Sequence, residues 1–404
     1  MVFEKGINVQ KTKDIISTLF IIAASAELVM AILDECRFEV PYSRYILWGF
    51  LVIYGLKVMC NLYSIHEYEI LALVIAVGMI NYKCAGMNSV LKAGIFLFAL
   101  RGEDWKKVLR CLTACLIVTS FIMYIRAIAL NNPALLYITD IRIDRGNNGI
   151  RYTFGYLNSN RFMGTVISVV MLLLLLADGN RRKALISSII AGIAVIMFYL
   201  FTDTRTALIL VLGVILLYNT VVCFNNKMIN YLAIGMFAAS FIGEVMVSIM
   251  ATCHVDNAFM QMIDDFISGR FHQLGDTKFT GSNALVYVEN WHLFSSRMNQ
   301  AGCDLGYVFI FYYYGIIAAI MLLMLIVYTA VVIYRRREYY KFVILMGLCT
   351  YIFMEIYFFS NYVSKNLLLV FCGITIWQAK QGEEMYECND KAKTSKRFSF
   401  AHIF

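Results

Sequence analysis

The sequence predicts an all-α, polytopic integral membrane protein with about twelve transmembrane helices and two long outer loops. Of the 404 residues, 60% are hydrophobic and only 15% are charged, and the mean hydropathy is +0.69. Apolar runs of about 18 to 23 residues carry almost no charge, and that length is sufficient to cross a bilayer. A soluble protein would expose too much of this apolar surface, so composition and patterning exclude that class.

The predicted spans follow one another along a single polytopic domain, residues 1–404. The fourth span is short and contains Lys92, and the alternatives to a separate span are a re-entrant segment or a merger with its neighbours. Span boundaries are the least exact part of such a prediction. The twelve spans are residues 14–33, 44–60, 67–81, 89–100, 108–127, 161–177, 184–201, 206–224, 228–251, 305–334, 341–360 and 364–378.

Lysine and arginine are distributed unequally between the two sides of the predicted membrane. With the amino terminus inside, the inner segments hold 20 of the 35 basic residues, whereas the short outer loops hold only five. Because short basic loops stay in the cytoplasm, both termini are predicted to be cytoplasmic, including the basic tail at residues 379–404. The long polar segments 128–160 and 252–304 are then the third and fifth outer loops. Topology explains the net charge of +8, and no basic, aromatic-interleaved face indicates nucleic acid.

The cysteine pattern indicates neither a metal nor a cofactor. The eleven cysteines are scattered, mostly within spans, and none belongs to a CxxC or Cys/His cluster with metal-ligand spacing. Cys253 and Cys303 flank the fifth outer loop, where a disulfide is geometrically possible. We expect them instead to be small apolar side chains like the others.

The third outer loop is rich in charged residues just before the next span. A guanidinium group binds phosphate oxygens with two parallel hydrogen bonds and keeps its charge, so these arginines suit a phosphate or diphosphate ligand. A solvated loop with local ion pairs explains the pattern equally well, and the sequence leaves both interpretations open. The charged residues are Asp140, Arg142, Asp144, Arg145 and Arg151.

A further arginine, Arg205, lies in the short fourth outer turn. Positive charge at this position is an exception to the rule that short basic loops stay inside. The exception indicates either a local partner, for which Asp203 is available, or an anion site at the lip of two spans.

The fifth outer loop combines arginine, carboxylates, histidine and aromatic residues, with Arg270, His272, Glu289 and Asp304 as the candidates. This combination resembles a carbohydrate site, in which carboxylate or imidazole groups accept hydroxyl protons. The alternative is an amphipathic surface helix over residues 258–267 followed by an unstructured loop.

Three glutamates, Glu27, Glu244 and Glu355, lie in the outer half of predicted spans. Ionisable groups at that depth usually face a watery cavity or a charged partner. Arg126, near the outer end of its own span, is either such a partner or a side chain that extends to the interface.

Four short motifs, in this order along the chain, resemble the O-antigen polymerase and ligase superfamily, the Wzy-type and WaaL-type enzymes. The stretch RYTFGYLNSN at residues 151–160 is similar to an Arg, Gly-aromatic and His-Pro-Asn series, and DTRTAL at 203–208 to a Ser-Arg-Thr-Ala-Leu at a span entrance. SGR at 268–270 is similar to a Ser-Gly-Arg in the large outer loop, and Asp304, Tyr307 and GII at 315–317 to the close of that loop. The chain lacks the His-Pro and has Asp304 where the ligases have histidine, which favours a polymerase.

The resemblance implies a fold similar to that of C-type glycosyltransferases, in a bacterial cell membrane. It implies that a glycan on polyprenyl diphosphate is transferred on the outer leaflet to the next lipid-linked repeat unit, in O-antigen, capsule or exopolysaccharide synthesis. It implies no nucleotide sugar and no metal, and flippase and chain-length regulator proteins as partners. Protein cations then neutralise the departing diphosphate, and the motifs assign this role to Arg151, Arg205, Arg270 and the nearby Arg145. Positioning or deprotonation of the acceptor hydroxyl falls to Asp304, His272 or Glu289.

Two other functional classes fit part of the pattern, besides a ligase-type transferase. A flippase or exporter of lipid-linked oligosaccharides also has about twelve spans and intramembrane charges. However, it does not need a loop of about fifty residues on one side, and it is expected to carry charged midplane residues in several spans. An assembly or chain-length protein without chemistry would tolerate loss of all the loop arginines.

Overall fold

A computed structural model describes residues 2–141, 148–253, 255, 257–267, 269–275, 286–297, 303–357 and 360–382. Within these ranges the chain is a bundle of helices, nine of which are long and apolar enough to cross a membrane. The predicted class, a helical membrane protein, is confirmed at this level.

Each predicted span overlaps at least one helix of the described chain, although the bounds differ for the last three spans. The apolar helices α4 and α14 are shorter than the nine long ones, and α15 is described as far as residue 382. In chain order the elements are α1 (Val2–Glu35), α2 (Ser43–Cys60), α3 (Ile65–Ala85), α4 (Ser89–Ala99), α5 (Trp105–Ala129), α6 (Pro133–Leu136), β1 (Tyr137–Ile141), β2 (Asn148–Tyr152), α7 (Ser159–Ala177), α8 (Arg181–Thr202), α9 (Arg205–Phe224), α10 (Lys227–Thr252), α11 (Ala258–Phe266), α12 (Gly306–Phe309), α13 (Ile316–Arg336), α14 (Tyr340–Met354) and α15 (367–382).

The segment predicted as the third outer loop contains an antiparallel β-hairpin, a short exception within a chain that is otherwise helical, as the all-α class predicts. Strands β1 and β2 pair Tyr137 with Tyr152 and Ile138 with Arg151. A loop beside the membrane still has to satisfy its backbone hydrogen-bonding groups, and a hairpin does so without a helix. The Thr153 amide continues the contact by donating to the Leu136 carbonyl at 2.9 Å. The hairpin thereby fixes the position of Arg151.

The predicted span at residues 305–334 is broken. Helix α12 runs into a π-helical turn, Ile310–Tyr314, and the chain restarts as α13 after Gly315, whose φ is 89°. A Cβ at residue 315 would lie 2.6 Å from the Phe294 carbonyl carbon, so the loop backbone passes directly over this glycine. Hydropathy does not reveal the break because apolar residues continue on both sides of it.

The predicted span at residues 341–360 ends early, because α14 stops at Met354 and Glu355 has an extended backbone, with φ −149° and ψ 141°. The turn Val363–Lys365 and α15 follow. Glu355 is therefore at a helix end rather than inside a helix, where its side chain is free to reach neighbouring elements.

Helix α7 is the centre of the bundle and is buried along most of its length. A Cβ at Gly164 would lie 2.6 Å from the Tyr351 hydroxyl, so this glycine permits close packing of α7 on α14. The outer helices α2, α3, α8 and α10 instead expose many large apolar side chains, as expected for surfaces that face lipid. The beginning of α7 and the end of α14 meet on one side of the bundle, which we call the loop side because both long loops connect there.

Candidate functional site

A buried ion pair between Arg270 and Glu355 lies at the loop side. The Arg270 Nη2 donates to Glu355 Oε1 at 2.5 Å, and the two side chains are only 9% and 13% exposed. The same Glu355 oxygen accepts a hydrogen bond from Asn160 Nδ2 at 3.1 Å. One carboxylate thus joins the fifth outer loop to the first turn of α7.

Arg151 reaches the same group from the β-hairpin. Its Nε donates to the Thr202 carbonyl at 2.7 Å, and its Nη2 donates to Asn160 Oδ1 at 3.2 Å and to Thr204 Oγ1 at 3.5 Å. The Asn160 amide therefore bridges Arg151 to Glu355. We call Arg151, Asn160, Arg270 and Glu355 the arginine–glutamate site.

Local capping and turn geometry hold these side chains. Asn158 Oδ1 accepts from the Arg161 amide at 2.8 Å, which caps α7 and fixes its first turn, including Asn160. After α11 the chain reverses at Gly269, where φ is 75°, and the buried Asp264 accepts from the Phe271 amide at 2.6 Å. These contacts place Arg270 against the end of α14.

The Arg270 guanidinium is charged and only partly satisfied. Burial lowers the pKa of this group, but the Glu355 and Asp304 carboxylates outweigh burial, so the net change raises its pKa. Its Nη1 is buried and has no hydrogen-bond partner among the described residues. A buried donor in this state costs about 1–3 kcal/mol unless a ligand or water satisfies it.

Asp304, a sequence-predicted catalytic residue, belongs to this neighbourhood. Its side chain is half-buried, and its negative charge acts on both Arg270 and Glu355. With Asp304 beside it, the arginine–glutamate site brings together two arginines and two carboxylates, from the two long loops and the end of α14.

The other two predicted catalytic residues do not contact the ion pair. His272 hydrogen bonds through Nδ1 to Asp264 and its side chain is 85% exposed. Glu289 lies exposed in the turn Val288–Asn290. Neither contacts Arg270 or Glu355 within the part of the chain that the structure describes.

Arg205 lies beside the site, as the first residue of α9 and directly after Thr204. Its side chain is 55% exposed, and its Nε is 3.8 Å from Asp203 Oδ1, so the local partner considered from the sequence is present. The predicted diphosphate ligand Arg145 lies outside the described residues, as do Arg142 and Asp144.

Sequence reasoning did not assign a role to Asn160 or Glu355, although both lie at the centre of the geometry. Glu355 was expected to meet a cavity or a charged partner, and Arg270 is that partner. The signal for Asn160 was its position at a span entrance, at the end of the motif that begins with Arg151, and this position by itself does not distinguish a helix cap from a bridging amide.

The remaining polar groups singled out from the sequence have separate partners. Glu27 accepts from Tyr54 Oη at 2.9 Å, and Glu244 accepts from Thr350 Oγ1 at 2.5 Å. Arg126 lies 5.0 Å from the centre of the Phe38 ring. Cys253 and Cys303 are both free thiols in the structure, the first exposed and the second buried.

An apolar groove of about 410 Å³ lies between α3, α4 and α13. Its walls include Ile70, Val74, Ala93, Ala318 and Leu325. Three polar side chains of its lining, Ser89, Ser360 and Asn366, are at the loop side, next to the starts of α4 and α15, whereas Tyr328 lies deeper, on α13. The groove therefore has mostly apolar walls and a polar rim at the loop side.

No family model, curated protein or solved structure matches this chain. The resemblance to the O-antigen polymerase and ligase superfamily therefore rests on the four motifs and stays a prediction.

Proposed function

We propose that this protein is a polysaccharide polymerase of the bacterial cell membrane that transfers a glycan from polyprenyl diphosphate to the next lipid-linked repeat unit. The observation that carries the proposal is the arginine–glutamate site, where arginines from both long loops meet two carboxylates at one end of an apolar bundle. Membrane-embedded chemistry on a diphosphate needs such protein cations at the interface.

The proposed reaction breaks the bond between the anomeric carbon of the donor sugar and its diphosphate oxygen. A hydroxyl oxygen of the acceptor sugar forms the new bond to the same carbon, and its proton passes to a carboxylate. Polyprenyl diphosphate leaves with the electron pair. Asp304 is the proposed proton acceptor, because it is the half-buried carboxylate beside the site that carries no direct ion pair in the described chain.

Arg270 and Arg151 stabilise the departing diphosphate in this proposal. The buried Arg270 Nη1 has no described partner and is the donor that a phosphate oxygen satisfies. Glu355 and Asn160 hold the two guanidinium groups in place before substrate arrives, and donors fixed in advance stabilise developing charge without reorganisation. Arg205, exposed at the rim, attracts the incoming anion.

The groove between α3, α4 and α13 is the proposed site of a polyprenyl chain. Its lining is largely apolar along the depth of the bundle, and three of its polar side chains, Ser89, Ser360 and Asn366, lie at the loop side. A long isoprenoid chain with a charged head group has the same distribution of polarity, so the head group lies at the end where the arginines are.

The loop side is proposed to face outward, with both termini in the cytoplasm. Basic residues concentrate at the opposite ends of the helices, for example Arg101, Lys106, Arg181 and Arg336. Short basic segments of this kind stay in the cytoplasm.

The proposal is tested with purified protein in proteoliposomes that contain lipid-linked repeat units isolated from cells lacking this protein. We expect a ladder of longer lipid-linked glycans and one polyprenyl diphosphate released per new linkage. Arg270→Gln abolishes the ladder, whereas Arg44→Gln, an exposed arginine at the start of α2, preserves it. Movement of the repeat unit across the bilayer without new bonds would identify a flippase and overturn the proposal.

A further inference from the structure

Glu244 of α10 is a buried carboxyl group surrounded by hydroxyl groups. Its Oε1 accepts hydrogen bonds from Ser240 Oγ at 2.6 Å and from Thr350 Oγ1 at 2.5 Å. The two hydroxyl oxygens are 3.2 Å apart, so the three oxygen atoms form one compact group between α10 and α14. Glu244 is only 8% exposed, and the solvent therefore contributes little to the stabilisation of a charge on it.

The second carboxyl oxygen, Glu244 Oε2, is buried and has no hydrogen-bond partner among the described residues. The Tyr307 hydroxyl of α12 adjoins the same carboxyl group, and its oxygen is also without a partner in the described chain. A proton on Oε2 would satisfy both atoms, because a carboxylic acid donates a hydrogen bond that a phenol oxygen accepts. We call Ser240, Glu244, Tyr307 and Thr350 the Glu244 cluster.

No lysine or arginine of the described residues balances a negative charge on Glu244. The groups that act on it are the hydroxyls of Ser240, Thr350 and Tyr307. The titratable groups that face it from the helices packed on α10 are the Tyr307 phenol and the Cys349 thiol, and both types are uncharged at neutral pH. A carboxyl group isolated from water and from cations takes up a proton rather than stay ionised.

Other glutamates in the interior of the described chain each face a cation, which distinguishes them from Glu244. A cation offsets part of the cost of burying a carboxylate, so these groups can keep their charge. The pairs are Glu27 with Lys92, Glu35 with Lys365, Glu67 with Arg101, Glu103 with Lys57 and Glu355 with Arg270.

We propose that the Glu244 cluster is a proton-binding site, in which the Glu244 carboxyl group carries a proton at neutral pH. The proton lies on Oε2, toward Tyr307, because Oε1 already accepts from two hydroxyls. A sodium ion is the competing ligand, and it is disfavoured because the oxygen atoms around Oε1 are at hydrogen-bonding distance from one another. This inference does not depend on the proposed polymerase activity.

The proton-binding site lies below the loop side of the bundle. Glu244 precedes the end of α10 at Thr252 by eight residues, which corresponds to about 12 Å along the helix. Tyr307 is in α12, three residues after Asp304, and so extends the cluster toward the arginine–glutamate site. Ser240 and Thr350 are only half-buried, which leaves a short path from the membrane to the carboxyl group.

Infrared spectroscopy of the purified protein in nanodiscs tests the protonation state. A carboxylic acid absorbs at a higher frequency than a carboxylate, so the two forms are distinguished. We expect a carboxylic acid band at neutral pH that Glu244→Gln removes and Glu355→Gln retains. Thr350→Val should shift the band, because it deletes a hydrogen bond to Oε1. Identical carboxylic acid bands in the wild type and Glu244→Gln would show that Glu244 is ionised and overturn the proposal.

Dicyclohexylcarbodiimide distinguishes a bound proton from a bound sodium ion. This apolar reagent reacts with protonated carboxyl groups: the acid proton passes to its nitrogen while the carboxyl oxygen bonds to its central carbon. By peptide mass spectrometry we expect at least about tenfold more label on Glu244 than on the ion-paired Glu355, equally in sodium chloride and in choline chloride. Suppression of the label by sodium at constant pH would identify a sodium site and overturn the assignment to a proton.

The stability of Glu244→Gln gives an independent readout. An uncharged amide replaces an uncharged acid of the same shape, so we expect a melting temperature within about 1 °C of the wild type. Glu355→Gln, which breaks an ion pair, is the matched comparison and should lower it by about 4 °C. A drop of about 4 °C in both variants would show that Glu244 is charged and paired with a cation, and the proposal would be wrong.

Discussion

The buried pair between Arg270 and Glu355 offers the most quantitative test of the site. The two side chains are 9% and 13% exposed, so water screens their interaction poorly. Glu355→Gln keeps the shape of the side chain but removes its charge, which leaves a buried guanidinium without its ion-pair partner. Breaking a buried pair in this way costs about 3–5 kcal/mol. The Asp304 charge still acts on Arg270, so we expect a loss near the lower end, about 3 kcal/mol.

This loss converts into a measurable shift in melting temperature. The entropy of unfolding is about 2 cal/mol/K per residue, or about 0.8 kcal/mol/K for a chain of 404 residues that unfolds cooperatively. A destabilisation of about 3 kcal/mol therefore lowers the melting temperature by about 4 °C. The measurement is a thermal melt of detergent-purified protein followed by tryptophan fluorescence.

A double-mutant cycle separates the ion pair from other effects of the substitutions. We expect Glu355→Gln and Arg270→Gln each to destabilise, and the double variant to be more stable than either, because it leaves no unpaired buried charge. The exposed pair between Lys106 and Asp178 is the matched control, and Asp178→Asn should cost less than about 1 kcal/mol. If the losses of stability of the two single variants add in the double variant, Arg270 and Glu355 do not form a coupled ion pair.

The other predictions concern activity and are measured as polymer formed per unit of protein in proteoliposomes. Arg151→Lys should lower activity about a hundredfold, because an ammonium cannot reproduce the planar guanidinium fork and loss of one oriented donor typically costs about that factor. Unchanged activity would show that Arg151 does not bind the diphosphate. Asp304→Asn should abolish activity while His272→Gln leaves it within about twofold, since only Asp304 lies beside the ion pair; the reverse result would make His272 the base. Ala93→Phe should lower polymer formation by filling the groove, whereas Ala72→Phe, exposed on α3 outside the lining, should not. Equal activity of the two variants would show that the substrate does not bind in the groove.

Hydropathy located the helices because a span must be long and apolar to cross lipid. It did not reveal the interruption at Gly315 or the early end of α14, since the apolar composition continues through both. At the break, the backbone of Phe294 passes directly over Gly315. That contact joins residues in different segments, and no local pattern encodes it.

The candidate site was predicted in part for the same reason. The motifs selected Arg151, Arg270 and Asp304, and these three are brought together. Glu355 is 85 residues from Arg270 and 195 residues from Asn160 in the sequence, and its hydrogen bonds to them arise only from tertiary packing. The sequence predicted that Glu355 faces a watery cavity or a charged partner, but it did not identify the partner as Arg270.

The β-hairpin illustrates a second limit. Residues 137–141 and 148–152 are short and lie in a polar loop, where single-sequence patterns distinguish poorly between strand and irregular structure. The hairpin nevertheless sets the position of Arg151, whose Nε donates to the Thr202 carbonyl at 2.7 Å. The geometry of the site therefore depends on the element that was hardest to predict.

The most direct test of the central claim is the profile of lipid-linked glycans in cells that lack this protein, separated by size and counted on each leaflet. If the protein is the proposed polymerase, polymer is lost and single-repeat units accumulate on the outer leaflet. Accumulation on the inner leaflet would indicate a flippase, and an unchanged polymer would contradict the proposed polymerase altogether.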